Sequence, residues 1–297
     1  MIEYPLVSVV IPSYNRAQYI TETIDSVLRQ TYRNVEVIII DDGSTDTTDD
    51  VVKPYLSQVK YIRQENAERG ASRNHGLRVA MGEYIAFLDS DDVWLPNKLE
   101  HDLRIFNRMP NVGLVCSNAL QIDASGKQLR LLRPRAYSGQ VTDRLIENNF
   151  ILMATHLVKT EAVRELNGFR EERELSGSED WELWVRLSTA VDFFHSNEVT
   201  AKIRTHDANT MGDADGMNRS MSYALDIMES SDYLSTIQRS RLSRSRGVVS
   251  LVNAINYCSA RNYQKAISEL KKAFVRYPAV CFDPRFGYTL YRIMTRR

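Results

Sequence analysis

Three carboxylates follow directly after an apolar run in the first third of the sequence. Residues 84–88 have the composition of a buried strand, and Asp89, Asp91 and Asp92 follow its carboxyl end. Hard cations such as Mg²⁺ and Mn²⁺ take oxygen ligands and keep part of their coordination shell for substrate phosphates. In an extended backbone alternate side chains point the same way, so Asp89 and Asp91 are predicted to face one site. The alternative is a helix cap followed by solvated acids, since Asp is a favoured N-cap and a helix could begin near residue 95.

Similar polar clusters follow two earlier apolar runs. Residues 12–15, which read Pro-Ser-Tyr-Asn, follow the run at 7–11, and the Asp-rich stretch 41–46 follows the run at 35–40. An Asx turn with a helix cap is the competing explanation for the second cluster. A further acidic pair, Glu179-Asp180, opens a tryptophan-rich helical pattern. The helix dipole stabilises a carboxylate there even without a catalytic role.

The spacing of apolar residues predicts the elements that position these clusters. We expect strands at 7–11, 35–40, 59–62, 84–88 and 112–117, a turn at 123–126, extended chain at 191–204, and helices at 17–30, 70–81, 96–109, 140–148, 160–166, 178–189 and from 217 onward. Continuous apolar strands separated by helices favour an α/β fold with a mainly parallel central sheet covered by helices. In such sheets ligands bind beyond the carboxyl ends of the strands, which is where the polar clusters fall.

Composition narrows the class of protein. The 297 residues carry 38 basic and 38 acidic side chains. Residues 219–297 hold 14 Lys or Arg against 5 Asp or Glu, so the rest of the chain is acidic and the tail is basic. Three cysteines without a C-x-x-C pair argue against a disulfide scaffold or a zinc cluster. With no signal sequence or membrane span in the pattern, we expect a cytoplasmic protein.

The last part of the chain has its own pattern. We expect a catalytic domain at 1–215 and a small all-α region at 216–297. Between 247 and 280, small and apolar residues fall at the offsets of one tetratricopeptide-like unit: Ala254, Tyr257, Ala266, Leu270, Ala273 and Pro278. An ordinary helical hairpin is the alternative. A single unit cannot bury its own face, so it must pack on the body, on neighbouring helices or on a partner.

The ordered set of motifs resembles the family-two glycosyltransferases of the GT-A fold. The motifs lie at residues 9–15, 39–44, 89–92, 168–169, 179–181 and 204–206, with Asn66, Gly70, Arg73-Asn74 and Gly82-Glu83-Tyr84 between them. The resemblance covers about residues 5–210. One departure is Ala67-Glu68-Arg69, where family members often have glycines, so the loop near the donor is expected to differ in shape.

The resemblance implies a nucleotide-sugar site and a divalent cation, Mn²⁺ or Mg²⁺. A tyrosine can stack on a pyrimidine and a carboxylate can accept its ring N–H. The residues expected to hold the nucleotide are Pro12, Tyr14, Asn15, Asp42, Arg73, Asp89 and Arg204. The metal is assigned to Asp91, with Asp89 or Asp92 and with His206, although Asp89 could instead contact ribose.

The resemblance also implies the reaction. Asp180 is the expected general base, which takes the proton of an acceptor hydroxyl as that oxygen attacks and inverts the anomeric carbon. A UDP-sugar is the expected donor, and a glycan or lipid-linked molecule of cell-surface polysaccharide synthesis is the expected acceptor; nucleic acid is not expected. Contact of the basic, aromatic tail with an anionic membrane is a further expectation. The alternatives are a sugar-nucleotide nucleotidyltransferase and a non-catalytic scaffold that uses the helical tail.

Overall fold

The computed structural model describes residues 5–206 and 214–295 and divides the chain into two units. The first unit comprises residues 1–141, 150–171 and 186–207, and the second comprises the remaining segments, 142–149, 172–185 and 208–297. This division is discontinuous, whereas the sequence predicted a single boundary at residue 215. No described helix combines the length and the apolar character needed to cross a bilayer.

One mixed sheet organises the first unit. Its strands are β1 (Val7–Ser13), β2 (Val35–Asp41), β3 (Lys60–Arg63), β4 (Tyr84–Phe87), β5 (Val93–Trp94), β6 (Val112–Ile122), β7 (Gln128–Leu132), β8 (Leu157–Lys159) and β9 (Asp192–Arg204). The order is β3-β2-β1-β4-β8-β6-β9-β5, with β7 paired to β6. The first four of these strands run parallel, as their continuous apolar sequences predicted.

The second half of the sheet departs from the predicted parallel arrangement. Strand β8 runs antiparallel to β4 and β6, and β5 runs antiparallel to β9. Both β5 and β8 are too short to leave a periodic signal in the sequence, so neither was predicted. The predicted α/β class is confirmed, and the sheet within it is mixed.

The chain contributes helices to both units. They are α1 (Ile20–Leu28), α2 (Thr48–Val52), α3 (Glu68–Val79), α4 (Lys98–Arg108), α5 (Thr142–Glu147), α6 (Thr160–Glu165), α7 (Glu179–Ser188), α8 (Ala214–Ser230), α9 (Thr236–Ser240), α10 (Leu242–Ser259), α11 (Tyr263–Arg276) and α12 (Pro284–Thr295). In the first unit α1 buries Ile20, Ile24 and Val27. Helix α3 lies close to β1 because Gly76 has no side chain: a Cβ there would stand 2.2 Å from Val10 Cγ1.

The second unit is helical. Helices α10 and α11 form the predicted hairpin, and Ala254, Ala266 and Ala273 are fully buried where the two helices meet. Helices α8 and α12 also pack on α10. The hairpin is therefore covered by neighbouring helices, as a single unit requires, while its identity as a tetratricopeptide repeat stays a prediction.

Ion pairs explain why a segment from the middle of the chain belongs to the second unit. Arg241 lies 3.1 Å from Asp143 and Arg244 lies 3.0 Å from Glu147, which joins α10 to α5. The indole Nε1 of Trp181 donates to the Leu145 carbonyl at 2.6 Å. Such contacts between distant positions leave no periodic signal, so the sequence assigned α5 and the start of α7 to the first domain.

Candidate active site

The carboxylates after β4 lie on a tight turn. The strand ends at Phe87, and the Asp92 N–H donates to the Asp89 carbonyl at 3.0 Å. The expectation that Asp89 and Asp91 alternate on an extended backbone is therefore wrong, since the chain reverses between them. As a consequence, the three aspartates have different partners.

Asp91 forms the centre of a cluster with one histidine and one arginine. Its Oδ2 lies 2.9 Å from His206 Nε2 and 3.4 Å from Arg16 Nε. The His206 ring stacks on Tyr19, with centroids 4.9 Å apart and planes inclined by 22°. Tyr19 precedes α1 and His206 follows β9, so the cluster draws on three separate parts of the chain. The predicted association of Asp91 with His206 is thus present in the geometry.

Asp89 pairs with Arg73. The Arg73 guanidinium, which is only 2% exposed, donates to Asp89 Oδ1 at 2.9 Å and lies 5.3 Å from the centre of the Phe169 ring. Burial works to raise the pKa of Asp89, but the positive charges of Arg73 and Arg69 outweigh it, so the pKa lies below its ordinary value. Asp89 therefore carries a negative charge whose attraction fixes the orientation of Arg73.

Asp92 and Arg204 hold the turn in place. Asp92 is buried and its Oδ1 accepts a hydrogen bond from the Arg204 backbone N–H at 2.9 Å. Burial, then the negative charges of Asp91 and Asp89, raise the pKa of Asp92 well above its ordinary value. The surroundings of Asp92 therefore disfavour its charge, whereas those of Asp89 favour the charge of that residue. Asp92 Oδ1 supports the backbone at Arg204, and the alternative that Asp92 shares the metal with Asp91 stays a prediction.

The Arg204 side chain is committed to contacts within the protein. Its Nε donates to the Asp91 carbonyl at 2.9 Å, and one terminal nitrogen lies 2.5 Å from Glu22 Oε2. The other terminal nitrogen donates to the carbonyls of Asp123 and Ala124, both at 3.3 Å. With the residue only 2% exposed, this guanidinium positions the aspartate turn. A direct contact with the nucleotide, as the sequence predicted, is not supported by this geometry.

A second group of polar residues surrounds Asp42, just beyond β2. Asp42 Oδ1 accepts hydrogen bonds from Gln64 Nε2 at 2.7 Å and from the Ala67 N–H at 3.0 Å. Within the described part of the chain, its Oδ2 receives no hydrogen bond. One carboxylate oxygen thus fixes the loop, and the other remains an acceptor for a ligand N–H.

The neighbouring loop after β1 contains the remaining nucleotide candidates. Tyr14 is 46% exposed, which suits a stacking surface. Asn15 has a φ of 53°, and its Oδ1 accepts from the Thr45 N–H at 2.7 Å, so this side chain ties the loop to the one after β2. Pro12 is buried within β1 opposite Ile40, so its ring supports the sheet, and its contact with the nucleotide stays a prediction.

Asp180 lies in the second unit, in the first turn of α7. Its Oδ1 accepts from the Trp181 N–H at 2.7 Å, and its Oδ2 accepts from Asn149 Nδ2 at 3.2 Å. The side chain is half-buried. Trp181 and Trp184, which follow it on the helix, are both buried and contribute to packing.

The donor set at Asp91 fits a divalent cation. Among residues 5–206 and 214–295, no three or more His, Cys, Asp or Glu side chains are arranged to enclose a metal. Mg²⁺ is usually held by one or two carboxylates together with substrate phosphates, so a full protein cage is not required. Because Asp91 Oδ2 and His206 Nε2 already approach to 2.9 Å, a carboxylate oxygen and an imidazole nitrogen are available to one ion.

Three site residues were missed by sequence reasoning. Arg16 and Gln64 both stand just past strand ends, so extending the strand-end rule by a few positions could have identified them. Tyr19 left no such signal, because its role depends on stacking against His206.

The contacts join these groups along one edge of the sheet. Arg16 contacts Asp91, and its Nη1 donates to the Asn15 carbonyl at 3.1 Å. The Asn15 N–H in turn donates to Ser44 Oγ at 2.9 Å. The loops after β1, β2 and β4 thus meet where acids and arginines converge. This fold is that of an α/β protein, and the candidate site lies beyond the carboxyl ends of parallel strands, where proteins of this class bind their ligands.

Comparison with known proteins identifies the family. The sequence profile of glycosyl transferase family 2 matches residues 8–164. An uncharacterized glycosyltransferase of Rickettsia typhi is 34% identical over 216 residues, which cover 71% of this chain and 67% of that protein. The chain belongs to glycosyl transferase family 2 and is a glycosyltransferase, as its motifs predicted.

Solved structures share the fold. S. aureus TarS 1-349 in complex with UDP-GlcNAc superposes with a TM-score of 0.64 at 17% identity, over 95% of this chain and 92% of that one. The mannosyltransferase PcManGT from Pyrobaculum calidifontis, in complex with GDP-Man and Mn²⁺, gives a TM-score of 0.66 at 18% identity, over 97% and 84%. The GT-A fold that the motifs predicted is confirmed.

Proposed function

We propose that this glycosyltransferase is metal-dependent and inverting, and that it moves a sugar from a UDP-sugar to a hydroxyl of a glycan or lipid-linked acceptor in cell-surface polysaccharide synthesis. The observation that carries the proposal is the Asp91–His206–Arg16 cluster, in contact with the loops that hold Asp42 and Tyr14. A complex of a neighbour with UDP-GlcNAc and another with GDP-Man and Mn²⁺ support a nucleotide-sugar donor and a divalent cation.

The nucleoside would be held by the loops after β1 and β2. Tyr14 offers an exposed ring for the base. Asp42 Oδ2 would accept the ring N–H of uracil while its Oδ1 stays bound to Gln64 and Ala67. Because the position of Asp42 is fixed before the ligand arrives, little ordering entropy is lost on binding.

The diphosphate would lie at the Asp91 cluster. Asp91 and His206 would hold the cation, which when bound neutralises the negative charge that builds on the departing nucleoside diphosphate. Arg16 and Arg73 bring positive charge to the same edge, and the ion pair with Asp89 keeps the Arg73 guanidinium in one orientation. Arg204 keeps the Asp91 backbone in place through its hydrogen bond to the carbonyl oxygen.

Asp180 would act as the general base. Its Oδ2 would accept the proton of the acceptor hydroxyl, and attack of that oxygen opposite the leaving phosphate would invert the anomeric centre. Two hydrogen bonds, from Asn149 and from the Trp181 N–H, limit the rotation of the carboxylate. Asp180→Asn should keep donor binding within a factor of three and lower the transfer rate by roughly 10²–10⁴-fold.

Calorimetric titration of UDP in the presence of Mn²⁺ tests the donor and metal assignments together. Asp91→Asn should weaken nucleotide binding at least tenfold with Mn²⁺ and leave the much weaker metal-free binding almost unchanged. Glu161→Gln is the matched control, since it removes an exposed carboxylate of the same unit on α6. Equal affinities for wild type and Asp91→Asn in Mn²⁺ would remove Asp91 from the metal site.

A thermal-shift panel of nucleoside diphosphates tests which nucleobase the donor carries. Ligands that bind only the native state raise its stability, so UDP with Mn²⁺ should raise the melting temperature more than GDP or dTDP does. A larger shift with GDP would mean that the donor is a GDP-sugar and not a UDP-sugar. Following the anomeric configuration of the product by NMR would test inversion directly.

A further inference from the structure

The last helix presents an uncharged apolar face to solvent. On α12, Phe286, Thr289 and Ile293 form the inward stripe, with Thr289 and Ile293 buried. The opposite face consists of the uncharged residues Pro284, Gly287, Tyr288, Leu290, Tyr291, Met294 and Thr295. A surface helix normally places its polar residues on the outer face. In α12 both faces are apolar.

The exposure of this face is large. Tyr288 is 63% exposed, Tyr291 is 54% exposed and Met294 is 77% exposed. Phe282, in the short 3₁₀ segment that packs against α12, is 86% exposed. Of the fifteen large hydrophobic side chains that are exposed in the described part of the chain, five belong to this face and to the adjoining Phe282. Such a concentration marks an interaction surface and is unusual for a surface exposed only to water.

The charge of the surrounding segment indicates the kind of partner. Residues 263–297 hold eight Lys or Arg and two Asp or Glu. Arg285, which also pairs with Asp283 at 2.7 Å, and Arg292 lie along one border of the apolar face of α12. Arg296 and Arg297 lie outside the described residues. Two copies of this segment would bring like charges together, so association with a second copy is disfavoured. An anionic partner with an apolar interior satisfies both the charges and the exposed side chains.

We infer that the outer face of α12, together with Phe282, is a docking surface for an anionic lipid bilayer. The tyrosines and Phe282 enter the headgroup region, and Leu290 and Met294 reach the acyl boundary. Each cation near an anionic bilayer strengthens binding about fivefold. The inference uses no residue of the proposed donor site and requires neither nucleotide nor metal, so it stands or falls independently of the proposed function.

Vesicle sedimentation of the full chain tests the inference. Wild type should partition at least tenfold more strongly to vesicles of phosphatidylcholine with 30% phosphatidylglycerol, a composition of about one anionic lipid in three, than to pure phosphatidylcholine. The preference should shrink in about 0.5 M salt because the charges are screened. The triple variant Tyr288→Ser, Tyr291→Ser and Met294→Ser should lose at least tenfold in binding. Ile237→Ser, which removes a side chain 71% exposed on α9, is the control and should bind as wild type.

A label on the natural cysteine gives a second readout. Cys281 is exposed and adjacent to Phe282, whereas Cys116 and Cys258 are buried, so a maleimide fluorophore reacts selectively with Cys281. Its emission should shift to the blue on anionic vesicles and stay unchanged on neutral ones. A far-UV circular dichroism spectrum and a melting temperature equal to those of wild type would show that the triple variant is folded. Equal sedimentation of wild type and the triple variant, or self-association without lipid that the triple variant abolishes, would overturn the inference.

Discussion

Acidification should destabilise the first unit through His156, a histidine that the fold keeps neutral. Its Nε2 accepts a hydrogen bond from the Phe87 N–H at 3.1 Å, so that nitrogen carries no proton. Its Nδ1 lies 2.6 Å from the Met153 carbonyl and must therefore be the donor. Burial, then the positive charge of Lys98, lower the pKa of His156 to about 3. If the ring took up a second proton, Nε2 would become a donor and would face the Phe87 N–H, which is also a donor.

The sign and size of the effect follow from proton linkage. In the unfolded chain His156 has the ordinary pKa of about 6.5. Below that pH the unfolded state therefore binds a proton that the folded state does not bind. The stabilising contribution is complete above pH 6.5 and is lost as the pH falls toward 3. Each pH unit in that window corresponds to about 1.4 kcal/mol, which gives a loss of about 2 kcal/mol between pH 7.5 and 5.

Urea unfolding at a series of pH values, monitored by circular dichroism, tests this account of His156. The variant His156→Gln keeps an acceptor for Phe87 and does not titrate. Because the other histidines are common to both proteins, the difference in unfolding free energy between wild type and variant isolates His156. That difference should shrink by about 2 kcal/mol on going from pH 7.5 to 5. A difference that stays constant across this range would refute the assignment of a buried, neutral His156.

Three further predictions concern residues that hold the site in place. Arg204→Met should lower the unfolding free energy by roughly 2–4 kcal/mol in urea titrations and weaken Mn²⁺-dependent UDP binding in calorimetry, because the Asp91 carbonyl loses its donor; unchanged UDP affinity would limit its role to stability. Gly168→Ala should cost at least about 1–3 kcal/mol in the same titrations, since the residue has a φ of +71° and a Cβ would stand 2.2 Å from Asn74 Oδ1; a loss under about 0.5 kcal/mol would contradict this. Asp102→Asn should lower the unfolding free energy by about 3–5 kcal/mol, because it leaves the fully buried Lys98 ammonium, which lies 2.7 Å from Asp102 Oδ2, without its counter-charge. The double variant with Lys98→Met should recover much of that loss. No recovery would argue against the ion pair.

Much of the fold was accessible from the sequence because it follows from local patterns. The apolar runs of β1, β2 and β4 and the helical spacing of α1, α3 and α7 are encoded within each segment. Strand β8, by contrast, has only three residues and runs antiparallel between two longer strands. Its pairing depends on what surrounds it, so no local pattern could specify it.

The candidate site divides in the same way. The types of the chemical groups could be predicted, since acids and an exposed tyrosine at strand ends suit a cation, a phosphate and a base. The role of each individual residue could not be predicted. Asp92 and Arg204 carry the right chemistry for ligand binding, yet both make hydrogen bonds within the protein. Asp92 accepts from the Arg204 backbone N–H, and the Arg204 side chain donates to the Asp91 carbonyl.

The sequence by itself determined that this protein has a parallel α/β half, a carboxylate cluster at its ligand-binding edge and a basic helical end, because composition and periodicity are properties of neighbouring residues. Only the tertiary structure decided which partner each acid has. Asp91 meets a histidine 115 positions away, and Asp89 turns instead to Arg73. A tight turn reverses the chain between two side chains that strand periodicity would have aligned, and long-range packing then gives each carboxylate its own partner.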